Sequence, residues 1–561
     1  MKQLALAFAI VFFANLSQAQ SVFAPLNKDY SHLVDRYEIL NGTISNDLHT
    51  SFKPYFRDNV YKLAAKTPLD TLVELNRVDS FNIRYLKDDN WEWADSAHLE
   101  GNSKKPVFRR FYKKKNALYN FRNDEFDVQV NPVFYGLGGK ENGGLSTNFI
   151  NTRGAEVRGS INRRVGFYSV ITTTQALFPN YVRERINTPG LRAVPGEGYF
   201  KAYQANGVDY FTARGYVTFK LTKNINFQFG HDRNFIGNGY RSLILSDFSS
   251  PYLFAKIQTK IWKIHYTNLY AQMFNNTNIG KDTSYSKKFM TLHHLSINIG
   301  RHLNIGLFES IVYTRANNQF DLNYLNPIIF YRYAETYQGS GDKATLGLDF
   351  KLNFARRVSI YGQLVLNEFR INEVRNGNGW WGNKQAYQIG FKYIDFAGLK
   401  NVDLQFEVNA VRPYTYTSVD GNNNYSHYNQ PLAHPMGANF VEVVGVLRVQ
   451  PQKRIFITGT GILTRVGQND STTNFGNNIF IPYDKVPSTR PYGNYITQGI
   501  ATNIAYVELN VSYMLRHNLF IDLTQLLREQ FTDKNNPLYR RSTSFSSFSI
   551  RYNFGQKQQA F

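Results

Sequence analysis

Phe211-Thr212-Ala213-Arg214-Gly215-Tyr216-Val217-Thr218-Phe219-Lys220-Leu221 alternates along its whole length. The odd positions carry Phe211, Ala213, Gly215, Val217, Phe219 and Leu221, and the even ones Thr212, Arg214, Tyr216, Thr218 and Lys220. Successive residues of a strand point to opposite faces, so this pattern puts one face in hydrocarbon and the other in water. It recurs downstream. Leu346, Leu348, Phe350, Leu352 and Phe354 oppose Thr345, Asp349, Lys351 and Asn353; Val402, Leu404, Phe406 and Val408 oppose Asp403, Gln405, Glu407 and Asn409. Val507, Leu509, Val511 and Tyr513 oppose Tyr506, Glu508, Asn510 and Ser512; Phe548, Ile550, Tyr552 and Phe554 oppose Ser547, Ser549, Arg551 and Asn553. A soluble sandwich or propeller would rarely turn Lys220, Asp403 and Glu407 inward.

The connections alternate in length. Short turns fall at Asn162–Arg164, Thr222–Asn224, Trp262–Ile264, Gly300–His302, Ala355–Arg357, Ala397–Asn401, Pro451–Lys453 and Arg516–Asn518. Between them lie long Gly-, Asn- and Tyr-rich stretches such as Phe178–Asp209, Asn317–Lys343, Tyr414–Ala438 and Gly467–Asn503. Outer-membrane barrels have short periplasmic turns and long surface loops. Eight short turns and nine long loops predict an all-β transmembrane barrel of about eighteen antiparallel strands over residues 125–561, with both barrel ends on the periplasmic side.

Composition agrees with an exported membrane protein. Leu4–Ala14 is apolar after Lys2, and Ser17-Gln18-Ala19 offers small residues to a signal peptidase, so residues 1–19 read as a cleaved signal peptide before Gln20. There is no cysteine, which excludes a lipoprotein anchor, a disulfide framework and a thiolate metal site. No stretch approaches the 18 or so consecutive apolar residues of a membrane helix. The 38 Tyr, 44 Phe and 5 Trp supply lipid-facing and interfacial side chains. A mean hydropathy of −0.40 is that of a soluble chain, but the polar lumen face of each strand masks the apolar one. The net charge of +22 favours anionic partners, namely phosphate-bearing lipid, lipopolysaccharide or acidic polysaccharide; nucleic acid is not expected outside the cell.

Residues 20–124 differ in texture. From Asp29 to Leu86 the apolar spacing is helical, with Tyr30, Leu33, Val34 and Tyr37 on one face and Val60, Leu63 and Ala64 on another. Thr67-Pro68 predicts a third helix through Leu69, Leu72, Val73 and Leu75, because proline is favoured at the first helical position. Lys87–Asn120 turns basic, with seven Lys or Arg between Lys104 and Lys115, and reads either as a solvated linker or as a patch touching anionic lipid or the barrel rim. This segment precedes the first strand and is expected in the periplasm.

Signs of catalysis are few. No HExxH, GxSxG or phosphate-cradling glycine loop occurs. His293 and His294 are adjacent on a strand and point apart, and His427 and His434 read as surface histidines of a long loop. No metal, cofactor or enzymatic activity is expected. Charged residues at strand positions, among them Glu156, Arg158, Arg214, Glu309, Glu368, Arg370, Glu407, Glu442, Arg448 and Glu508, are expected to pair across strands inside the lumen, or to line a path for ions or sugars. The long loops mix aromatics with arginine: Tyr181, Arg183 and Arg185; Trp380 and Trp381; Tyr425, His427 and Tyr428; Arg490, Tyr492 and Tyr495. Such groups either bind glycans, by ring stacking and guanidinium–carboxylate pairing, or form the interfacial aromatic girdle.

Gly230-His231-Asp232-Arg233-Asn234-Phe235-Ile236-Gly237-Asn238-Gly239-Tyr240, followed by Ser242-Leu243-Ile244-Leu245-Ser246-Asp247, resembles the Wzi-type capsule-assembly barrels. So do Tyr324-Leu325-Asn326-Pro327 and the run from His427 to Asn439 with His434-Pro435-Met436-Gly437. The early Asn27-Lys28-Asp29-Tyr30, His32-Leu33 and Asp35-Arg36-Tyr37-Glu38 look like the Bacteroidota branch, which includes the gliding-motility barrel RemB. The resemblance implies an eighteen-stranded barrel with a periplasmic helical bundle. It also implies a non-enzymatic surface protein that anchors exported polysaccharide, with motility or secretion machinery as a further partner. A diffusion channel for small solutes is the alternative. The expected ligand-binding residues are Arg233, Tyr240, Arg183, Arg185, Trp380, Trp381, Tyr425 and Tyr428. Asp232, Asn234, Gly237, Gly239, Asp247, His434, Pro435 and Gly437 complete the shared motif with Arg233. Arg233 is expected to be held by the Asp232 and Asp247 carboxylates, with Gly237 and Gly239 fixing a tight loop path.

Overall fold

The structure, a computed structural model, describes residues 21–143, 147–188, 192–275, 285–330, 341–483, 490–532 and 540–561; the expected signal peptide lies outside them. Eighteen antiparallel strands close into a barrel. They are β1 Phe126–Glu141, β2 Thr147–Ile161, β3 Val165–Leu177, β4 Gly207–Thr222, β5 Ile225–Asp232 and β6 Tyr252–Ile261. β7 Ile264–Asn275, β8 Ser286–Ile299, β9 Leu303–Tyr313, β10 Lys343–Phe354, β11 Val358–Glu368 and β12 Lys384–Tyr393 follow. β13 Val402–Val411, β14 Phe440–Gln452, β15 Ile455–Gln468, β16 Ile500–Arg516, β17 Leu519–Thr532 and β18 Arg541–Tyr552 complete the wall. Each strand pairs with the next, and β18 closes on β1 from Phe545↔Glu141 to Tyr552↔Phe134. Tyr119–Arg122 covers the part of β1 below that seam, pairing Tyr119 with Val130. The strand count and the alternation of short and long connections are those expected from the sequence.

Local chemistry explains the tight turns. Asn162 and Arg163 have φ of 50° and 54°, and Ala355 and Arg356 have φ of 51° and 53°, the left-handed pair that a type I′ hairpin requires. On the walls, the faces fall as the alternation predicts. In β13, Asp403, Gln405, Glu407 and Asn409 are buried while Phe406 is 38% exposed toward lipid.

The N-terminal helices are α1 Lys28–Leu40, α2 Arg57–Lys66 and α3 Arg77–Asp89. Asn27 caps α1 by accepting from the Asp29 amide at 2.9 Å. The third helix starts nine residues later than Thr67-Pro68 suggested. Thr67–Leu69 is a 3-10 turn ending α2, and Leu69 and Leu72 are 78% and 71% exposed. The true start is Asn76, which forms a capping box with Asp79. Two short helices, α4 Asn180–Asn187 and α5 Ile371–Asn376, lie in long loops.

The three N-terminal helices pack against the barrel. They sit in its mouth at the short-turn end and touch most of those turns. Ile44 N donates to Arg301 O at 2.7 Å, Arg356 pairs with Asp70 at 2.8 Å, Asn82 with Gln450 at 2.7 Å, and Tyr85 donates to Asn518 at 2.6 Å.

Candidate functional site: a packed lumen and an aromatic rim

The inward faces are polar, so whatever fills the lumen must satisfy their hydrogen bonds. Three chain segments do this. The first is the N-terminal plug. Arg36, only 2% exposed, reaches Asp79 at 3.0 Å, Asp395 at 2.8 Å and Asp403 of β13 at 2.5 Å. Lys392 of β12 pairs with Asp35 at 2.5 Å, and Lys351 of β10 pairs with Glu38. Burial alone would raise the Asp35 carboxyl, yet Lys392, Lys53 and Lys351 hold it well below the usual range. Burial pushes the Lys53 ammonium down to about 8.

The second segment is the motif loop between β5 and β6, which turns inward. Phe235 and Ile236 pair with Lys53 and Phe52 of the plug, and Gly237 N donates to Ser51 O at 2.7 Å. Glu407 of β13 accepts the backbone amides of Tyr240 and Arg241 at 2.7 and 3.1 Å. Gly239 is required there, since a Cβ would lie 2.4 Å from Glu407 Oε2. Gly237 has φ 139°, and a Cβ on it would lie 2.5 Å from Gln363.

The loop preceding β14 joins the same assembly, so the two motifs read from the sequence meet in the lumen. Arg241 donates to Glu442 at 3.0 Å, and His434 Nε2 lies 2.8 Å from the same carboxylate. Ser246 N donates to Leu432 O at 2.8 Å. Tyr416 and Tyr425 donate to the carbonyls of Leu243 and Ile244, each at 2.7 Å. Asn234 accepts from Lys256 at 2.9 Å.

The third segment is the tail after β18. Lys557 donates to Glu197 and to Tyr210, each at 2.9 Å, while Tyr240 donates to Gln558 at 2.9 Å. Arg241 bonds Ala560 O at 2.5 Å, and Arg528 bonds Phe561 O at 3.0 Å. Burial would raise the Glu197 carboxyl, but the Lys557 ammonium, with Arg233 and Arg214, holds it down to about 2. Between plug, loop, tail and wall remains a cavity of ≈ 270 Å³, lined by Arg214, Asp232, Arg233, Glu197, Tyr240 and Lys557 among others.

These contacts revise several expectations. The interior carboxylates and arginines mostly do not form cross-strand ladders; they hold inserted chain. Arg214–Asp232 at 3.5 Å, Arg551–Asp522 at 2.9 Å and Glu368 with Lys343 and Lys384 at 2.8 and 3.2 Å are among the cross-strand kind. Arg233 is not gripped by the carboxylates of Asp232 and Asp247. Its guanidinium donates to the carbonyls of Gly196 and Asp247 at 3.1 and 2.9 Å, and Asp232 instead pairs with Arg214. His427 and His434 are not surface residues. They are 2% and 0% exposed, and His427 bridges Phe274 N and Pro251 O.

The eight expected ligand residues do not converge. Tyr240 and Arg233 line the internal cavity, and the Lys28 ammonium lies 3.5 Å from the Tyr240 ring centroid. Tyr425 is 1% exposed and braces the motif loop. Arg185 donates to Pro435 O at 2.7 Å and covers the Phe561 ring at 4.4 Å, and burial lowers it to about 10. Arg183 bonds Asn180 within α4, and Tyr428 N donates to Phe274 O at 3.0 Å. Gly437, with φ 74°, turns the chain back so that its amide donates to His434 O at 3.0 Å.

Trp380 and Trp381, part-exposed like Arg183 and Tyr428, stack with other rings and cations at the long-loop end. Trp381 meets Tyr483 at 4.9 Å, and the Lys384 ammonium lies 4.8 Å from Trp381 and 3.7 Å from Tyr483. Arg370 covers Trp380 at 4.7 Å. The segment after Arg490 docks beside them: Trp381 N donates to Pro491 O at 3.1 Å and Asn494 N to Gly379 O at 2.9 Å, leaving Tyr492 and Tyr495 49% and 64% exposed. Sequence reading missed two hubs, Arg36 and Arg241. Arg36 stands within one quoted motif and Arg241 between the two runs of the other, but nothing local marked their partners.

Wall, turns and inserted segments together define the fold of an eighteen-stranded outer-membrane β-barrel. Its solved counterparts include Wzi, an outer-membrane protein involved in group 1 capsule assembly in Escherichia coli and a carbohydrate-binding β-barrel. That similarity has a TM-score of 0.58 at 14% identity, over 96% of this chain and 100% of Wzi. OccAB2 of Acinetobacter baumannii (TM-score 0.42, 8% identity, 76% and 98% covered) and OprD of Pseudomonas aeruginosa (0.40, 9%, 76% and 94%) are also similar. No protein-family model and no curated protein sequence matches the chain.

Proposed function

We propose that this chain is a non-enzymatic outer-membrane barrel that retains exported polysaccharide at its long-loop rim, with its short-turn end and plug on the periplasmic side. The observation that carries this reading is the filling of the lumen: plug, motif loop and tail occupy it and bond many of the inward polar groups that a solute path would need. The aromatic and cationic rim around Trp380, Trp381 and Tyr483 supplies what ring-bearing, acidic glycans bind: faces to stack on and donors for carboxylates. The fold shared with Wzi, a carbohydrate-binding barrel, supports the same reading. In planar bilayers the purified barrel should show no steady open conductance, while binding the polysaccharide of its own cells. Steady conductance without glycan binding would establish the diffusion channel instead. Trp380→Ala and Trp381→Ala should each weaken polysaccharide binding about two- to ten-fold, the worth of one aromatic contact. Staining for surface polysaccharide in a deletion strain, while filming cell movement, separates a capsule role from one in gliding motility.

Arg233 is assigned to pinning, because its guanidinium ties the motif loop to Gly196 and Asp247. Arg233→Ala should raise loop proteolysis and transient conductance, leaving glycan binding closer to wild type than Trp380→Ala does. Weakened binding with unchanged proteolysis would move Arg233 into the ligand site.

A further inference from the structure

A short hairpin leaves the barrel at the short-turn end. Isolated bridges Asn102↔Lys114 and Val107↔Phe111 define it, with Ser103 N donating to Lys113 O at 2.9 Å and Val107 N to Phe111 O at 2.8 Å. Its root is fixed rather than loose. Lys114 is 6% exposed and donates to the carbonyls of Ala97 and Glu100 at 2.8 and 2.6 Å, and Lys115 pairs with Asp88 at 2.5 Å. Its tip is the opposite. Phe108 is 85% exposed and Phe111 39%, with Phe108 and Arg109 held at φ of 47° and 58°. Lys104, Lys105, Arg109, Arg110 and Lys113 are all exposed, and among the described residues none of the five forms an ion pair.

The position of the tip gives this composition a meaning. Tyr119 and Phe121 follow it directly, pair with the start of β1, and face outward at 44% and 47% exposure. Phe126 and Ile161, at the same end of the wall, are also exposed, at 40% and 37%. The hairpin therefore emerges from the lower edge of the lipid-facing surface. An exposed phenyl ring ringed by unpaired cations, at the edge of a bilayer, is the chemistry of an interfacial anchor: the ring enters the acyl boundary and the cations meet phosphate.

We propose that residues 102–114 are a second membrane contact of this protein, docking on anionic phospholipid headgroups of the leaflet at the short-turn end. It rests on the reading of the wall as membrane-inserted, and the test separates the two. The chain has no cysteine, so single cysteines can be introduced cleanly. Phe108→Cys, Val217→Cys on the lipid face and Leu72→Cys on the exposed plug are each spin-labelled in the full-length protein. The proteins are reconstituted in vesicles of phosphatidylcholine with or without phosphatidylglycerol, and label accessibility to oxygen and to a water-soluble nickel chelate is compared.

In phosphatidylglycerol vesicles the label at 108 should favour oxygen, as the label at 217 does, while that at 72 favours the chelate. Replacing the five cations with glutamine should lower the enrichment of phosphatidylglycerol over phosphatidylcholine around the barrel at least about five-fold, the size of one lost cation–headgroup contact. If the label at 217 reads lipid while that at 108 reads water like 72, the anchor is overturned and the barrel stands. If the label at 217 reads water, the membrane reading itself fails. Lipid-buried 108 with unchanged enrichment would overturn the headgroup specificity.

Discussion

Arg36→Ala is expected to release the plug at a cost of about 3–5 kcal/mol, the usual loss when one partner of a buried ion pair is removed. Arg36 is 2% exposed and serves three carboxylates, Asp79 on α3, Asp395 in the β12–β13 turn and Asp403 on β13. Without it, negative charges from the helix and from the barrel face one another without a cation between them. The strand ladders do not depend on Arg36, so the barrel should keep its heat-modifiable mobility. Residues 21–89 should become sensitive to protease, and conductance in planar bilayers should rise. Arg36→Lys, with a point charge in place of a fork, should lie between wild type and Ala. A variant as protease-resistant and as non-conducting as wild type would show that the plug is held by other contacts.

The second large effect belongs to the outer face. Arg in place of Val217, Phe350 or Phe406 should cost about 2–4 kcal/mol if the site lies near the bilayer midplane, measured by denaturant unfolding from vesicles. From the alternation alone, the same change at Thr218 or Gln405 should cost much less, because those positions face a watery lumen. The packed interior removes that contrast. Thr218 is 1% exposed and donates to Ser21 O at 3.2 Å, and Gln405 is 4% exposed and donates to Tyr361 at 3.0 Å. A guanidinium there would overpack the plug. A gentler pair separates the faces. Thr218→Val removes the buried hydroxyl that donates to the Ser21 carbonyl and should cost about 0.5–1.5 kcal/mol, more than the lipid-side change. Val217→Ile on the lipid side should stay within about 0.5 kcal/mol. Equal losses at both positions would show that the two faces are wrongly assigned.

What was legible in the sequence was what has a period. Strand number, face assignment and the gathering of the short turns at one end all follow from the two-residue alternation and the lengths between its runs. What was not legible lies in contacts without period. Arg36 meets Asp403 across 367 residues, and Tyr240 meets Gln558 across 318, so no local pattern announces either pair. The same blindness made His427 and His434 look like loop surface, since a long loop that folds inward has the composition of one that folds outward. The error at the third helix is of another kind. Thr67-Pro68 is a sound start signal, but the capping box of Asn76 with Asp79 satisfies two backbone donors and outcompetes it. At the rim, Trp380 and Trp381 were named from composition, while their neighbourhood with Tyr483 and the segment after Arg490 depends on loop docking that only tertiary structure reveals.

The plug also changes the mechanics of the wall. A cylinder of eighteen strands is a thin shell, stiff along its hydrogen bonds but easily squeezed into an oval. Here α1 to α3 and the connection after α1 reach outward like the hub of a wheel: Asp35 to β12, Glu38 to β10, Asp89 to β2, Asn82 to β14 and, from the connection, Asn46 to β8. Those attachments lie on widely separated parts of the circumference. A sideways pull on the rim by a long polymer would be shared around the ring through these spokes instead of flattening the strands nearest the pull. Such a hub would let a thin-walled cylinder bear a lateral load without collapsing.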